Sequence, residues 1–300
     1  MNKELVYISR DFSAGIGIPD DGSHFIKTNS DRDLLNTQND IRDVLNAAFD
    51  IEDKNSIINN LPERFKISPD VNVQIDFMNY GNTQLVYLAT LLGCNYEKKL
   101  AVLINQPITP LGVVKEEFEN LKKLSQLDPK FIIKPYTFFS DGKHELYVSP
   151  YIEKAKCIYG GYQKWGIFDP DPFYHFEPFT KEISDQISTN MIALLVHYYD
   201  KKNNLGIAKT QISGDDFILT KDWDNNGIVL NSMRIIAARK MIHVSLKEYL
   251  DIIRSEFSQA THYNDEIIRR GEIKVNCKSS TAIPEKIIER GISLGLSLKR

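Results

Sequence analysis

The stretch from Leu205 to Met233 constrains this chain more than any other. It reads as a loop, a short strand at Phe217–Lys221, a polar turn at Asp222–Gly227 and a second strand at Ile228–Asn231. The turn ends in Asn225, Asn226 and Gly227, residue types that accept the positive φ angles of tight hairpins. Ahead of it, Ile183–Asp200 carries Ile187, Met191, Leu194, Leu195 and Tyr198 at helical spacing.

Composition narrows the class. Hydrophobic residues are 42% and charged residues 26% of the 300, as in globular proteins, and a chain of that length can bury one large or two modest cores. The formal net charge of -3 offers no basic field for nucleic acid or anionic lipid. Three cysteines, Cys94, Cys157 and Cys277, form neither an even framework nor a paired zinc spacing. No signal-like apolar segment opens the sequence and no run approaches the roughly 20 apolar residues of a membrane span. The expectation is a cytoplasmic protein, or one exported by a route that leaves no such signal, that binds neither nucleic acid nor membrane.

Residues 1–69 read as an N-terminal extension with short helices at Ile41–Phe49 and Ser56–Phe65, bounded by Pro69-Asp70. Strands follow at Val71–Phe77, Gln84–Leu92 and Lys99–Ile104, then a helix at Val113–Leu127 ended by Asp128-Pro129. Phe131–Phe139 and His144–Val148 form a hairpin around Ser140-Asp141-Gly142. The aromatic, glycine- and proline-rich segment Pro150–Thr180 reads as an irregular crossing. Beyond the central helix and hairpin, helices are expected at Leu246–Phe257, Asn264–Arg270 and Pro284–Leu298.

From about Asn72 to Tyr249, this order of elements resembles the protein kinase-like superfamily, including its small-molecule phosphotransferase branch. The resemblance implies an α+β, two-lobed kinase-like fold. It would have a small antiparallel sheet lobe with one helix at 70–153 and a reduced, mainly helical lobe at 154–300. It also implies ATP with Mg²⁺ as the cofactor, and no other cofactor is suggested. In such a fold Gly81 and Val86 lie at the glycine loop and against the base. Glu117 resembles the helix glutamate, and Tyr147 and Tyr151 bracket the hinge. The family's third-strand lysine is replaced by Leu103 or Ile104.

The catalytic loop is equally altered. With the strand at Phe217 as anchor, Asp216 stands where the family has its metal-binding asparagine, and Gln211 stands where it has the base. An amide has no usable proton affinity near neutral pH, so Gln211 cannot be a base. A second register sets Ser213-Gly214-Asp215 in that place and makes Asp215 the base. Asn231, in Asn231-Ser232-Met233, takes the position of the second metal ligand, and amide oxygen holds Mg²⁺ less well than carboxylate.

These losses point to a pseudokinase-type protein that works by binding a protein partner or a small molecule. The alternative is an atypical ATP- and Mg²⁺-dependent phosphotransferase, with Asp215 as base and Asp216 and Asn231 on the metal. Other constellations are thinner. The six histidines show no ligand spacing, and nothing in the sequence brings Cys157, Asp169 and His175 together. The aromatic run Tyr159–Phe176 reads as a core cap or a stacking surface.

Overall fold

The computed structural model describes residues 31–65, 67, 70–80, 84–106, 109–161, 164–169, 175–208, 216–220, 228–258, 261–264, 268–269, 272–273, 278–281 and 283–299. The chain is mixed α+β, with antiparallel sheets and, among the described residues, six α-helices. It divides into two compact units, residues 1–119 with 134–151, and residues 120–133 with 152–300.

In the first unit, α1 (Asp31–Ala48) and the short α2 (Ile57–Asn60) precede β1 (Asn72–Tyr80), β2 (Gln84–Gly93) and β3 (Tyr96–Asn105). Then come α3 (Val113–Leu127), β4 (Thr137–Ser140) and β5 (Glu145–Pro150), and the sheet order is β1-β2-β3-β5-β4, antiparallel throughout. One helix between the third and fourth strands of such a sheet is compatible with a kinase-like fold.

The pleat gives this sheet two different faces. Leu85, Tyr87, Ala89, Leu91, Leu100, Val102, Ile104, Leu146 and Val148 point to one side and are buried. Ile41, Val44, Leu45 and Ala48 of α1, spaced to form one helical stripe, share that core with Phe49, Ile57, Ile58 and Phe65. Residues 41–65 are therefore part of the sheet's core. Ser56 caps α2, its hydroxyl accepting from the Asn59 amide, and Asn59 Nδ2 donates to the Ile51 and Asp53 carbonyls at 2.8 Å each. Pro62 separates α2 from a single 3₁₀ turn at Glu63–Phe65, so the one helix expected across Ser56–Phe65 is two pieces. Likewise Pro135, which lacks an N–H, shortens the strand expected at Phe131–Phe139 to β4.

The second unit is less helical than the sequence suggests. Segment 150–180, expected to be irregular, contributes β6 (Lys156–Gly161), β7 (Lys164–Asp169) and β8 (His175–Pro178). After α4 (Lys181–His197) and β9 (Leu205–Ile207) come β10 (Phe217–Leu219) and β11 (Met233–Ile235), and a five-stranded sheet runs β11-β10-β6-β7-β8. The alternation expected of solvent-facing strands is absent from 156–169, because paired glycines and aromatics hide it. Next follow β12 (Met241–His243), paired with β9, and α5 (Leu246–Ser258). Two further pairs, β13 (Thr261–Asn264) with β16 (Lys278–Thr281) and β14 (Ile268–Arg269) with β15 (Glu272–Ile273), replace the helix expected at Asn264–Arg270. Threonine, tyrosine and isoleucine there favour strands, and long-range pairing overrides the weak helical spacing. The chain ends in α6 (Glu285–Ser297).

Helix α4 is the centre of this unit. Residues Ile187 to Val196 are all buried, so it is covered on every side. Thr180 caps its start, and Trp165 donates from Nε1 to Ser188 Oγ at 2.9 Å. At its end the Tyr198 hydroxyl donates to the Asp128 carbonyl at 2.6 Å and accepts from the Phe131 amide at 3.2 Å. Burial, with Asp128 nearby, pushes that phenol well above its ordinary range, so it stays a neutral donor. Among the described residues, no helix is long and apolar enough to cross a membrane.

Helix α6 meets α4 through glycines. A Cβ at Gly295 would stand 2.5 Å from the Ala193 carbonyl oxygen, and one at Gly291 would stand 2.7 Å from Ile192 Cβ. Alanine in a helix is normally better than glycine by about 1 kcal/mol. Here Gly295→Ala is expected to lower stability instead, by about 1–3 kcal/mol of overpacking, in a urea titration. Leu45→Ala is expected to cost about 2–5 kcal/mol in the same assay, as for a residue of the main core. A freestanding extension would show almost no loss.

Candidate functional site

Buried carboxylates mark a candidate site in each unit, Glu117 and Glu145 in the first and Asp216 in the second. In the first unit, α3 is fixed at its start by a strand residue. Glu145, on β5 and only 6% exposed, accepts from the Gly112 amide at 2.8 Å and the Lys115 amide at 3.4 Å. Its own amide donates to Asn105 Oδ1 at 2.7 Å. A carboxylate at a helix N-terminus satisfies orphan N–H groups and complements the helix dipole. Gly112, at φ +94°, supplies the left-handed residue that starts the turn.

So held, α3 directs Glu117 onto the second face of the sheet. Glu117 is fully buried; its Oε2 accepts from Gln84 Nε2 and its Oε1 from the Tyr147 hydroxyl, each at 3.0 Å. Phe118, beside it, packs on the Phe138 and Tyr147 rings at 5.7 and 6.0 Å. Cross-strand register puts Val86 opposite Leu103 and Leu103 opposite Tyr147, so these three side chains share one face with Gln84. The pleat thereby separates the two candidates for the family's lysine position. Leu103 lies on the Glu117 face, and Ile104 points into the core under α1. Val86 and Leu103 are half-buried, as is Tyr151 just beyond β5. Gly81 lies outside the described residues.

In the second unit, Asp216 precedes β10 and its side chain is 1% exposed. Arg239 engages both of its oxygens, Nη2 to Oδ1 at 2.6 Å and Nη1 to Oδ2 at 2.9 Å. The Nη1–Oδ2 contact is a charge-assisted hydrogen bond and the Nη2–Oδ1 contact adds ion-pair attraction. Arg239 was not foreseen from the sequence, though a carboxylate beside the apolar Phe217-Ile218-Leu219 calls for a cation nearby.

The hairpin's pairing also differs from expectation. Its second strand is Met233–Ile235, with Phe217 opposite Ile235, while Ile228–Asn231 leads into a 3₁₀ turn. The cause is a side-chain clamp. Asn190 Nδ2 donates to the Ile228 carbonyl at 3.0 Å and Gln186 Oε1 accepts from its amide at 2.8 Å, so α4 takes the hydrogen bonds a strand neighbour would. The residues that follow the paired strand are thus Ile236-Ala237-Ala238-Arg239, with no carboxylate among them. Asn231 is exposed in the turn, where its carbonyl accepts from Arg234. It lies at the Thr220 end of the hairpin, four residues of strand from Asp216, or about 13 Å at the usual rise. The structure does not bring Asp216 and Asn231 together. Among the described residues, no group of three or more His, Cys, Asp or Glu is placed to hold a metal ion. Asp215 and Gln211 lie outside the described residues.

No family model matches this sequence, and no curated protein matches it. One solved structure it is similar to is the crystal structure of BubR1 kinase domain, at 12% identity and a TM-score of 0.35. The match covers 72% of this chain and 62% of that one, so the chain spans less than two thirds of that structure's length. The likeness is too distant to carry the role of any residue across.

The Asp216–Arg239 pair is expected to dominate local stability. Asp216→Ala removes one partner of a buried pair and should cost roughly 3 kcal/mol, read from the urea midpoint. Tyr147→Phe removes one donor from Glu117 and should cost about 1–3 kcal/mol.

Proposed function

We propose that this chain is a kinase-like protein with degenerate catalytic motifs that acts by binding, as a pseudokinase does. The observation that carries the reading is the face of the first sheet around Glu117. There Leu103, one of the two residues that stand for the family's phosphate-pairing lysine, shares a face with Glu117, which accepts from Gln84 and Tyr147. A leucine cannot contact phosphate, so the electrostatic part of phosphoryl transfer lacks its usual cation. The clamp on Asp216 supports the same reading from the other unit. The half-buried apolar pair Val86 and Leu103 suits a flat ring better than a charged group.

The test is a pair of measurements on the whole chain. With γ-labelled ATP, Mg²⁺ and a generic acceptor protein, no label transfer is expected. In thermal shift, ATP is expected to stabilise the chain equally with Mg²⁺ and with EDTA. A site filled a hundredfold above its Kd gives about 2.7 kcal/mol. Mg²⁺-dependent transfer that Asp215→Asn abolishes would overturn the proposal in favour of an atypical phosphotransferase.

A further inference from the structure

We draw no further inference here: the strongest candidate, the apolar hollow of about 610 Å³ in the first unit whose lining includes Ile51, Ile58, Leu61, Pro62 and Ile67, carries no proposal because nothing in the structure shows what covers it.

Discussion

A carboxylate withdrawn from water must be met by donors or it will not stay charged and folded, and three such groups organise this molecule. Glu145 is met by backbone amides, Glu117 by amide and phenol side chains, and Asp216 by a guanidinium. Each solution fixes a different part. The first sets where α3 begins, the second sets which face of α3 meets the sheet, and the third joins the two ends of the β10–β11 hairpin. Each of the three carboxylates thereby holds an element of secondary structure in place.

That allocation fixes α3, the first sheet and the β10–β11 hairpin through groups that the chain itself supplies. Here the partners are covalently part of the chain. Leu103, on the Glu117 face of β3, and Arg239, after β11, are neighbours of two of these carboxylates. They lie in separate units and arise from separate stretches of sequence.

Much of the first unit was legible from alternation and turn residues alone. Strands β1, β2 and β3 and helix α3 fall where Val71–Phe77, Gln84–Leu92, Lys99–Ile104 and Val113–Leu127 suggested. What sequence could not carry was long-range. The burial of Ile41 to Phe65 against the sheet depends on a partner face far along the chain. Strands β6 to β8 are specified by their neighbours, β10 among them, and 156–178 has no clean period of its own. The hairpin's register was misplaced because Ile228 and Val229 look like strand, whereas Gln186 and Asn190 satisfy Ile228 from a helix instead. Arg239 escaped notice for a similar reason, since an ion pair 23 residues apart leaves no local pattern.

The clamp on Ile228 has an effect on what this chain can tolerate. Thr220 is tied to Ser232 by a 2.8 Å backbone bond, and Ile228 is tied to α4 through both its amide and its carbonyl. The segment between them therefore begins and ends at points secured independently of its own sequence. Thr220 and Ile228 thus keep their places through Ser232 and α4, so a substitution outside those partners leaves both anchor points, and with them the β10–β11 register, unchanged.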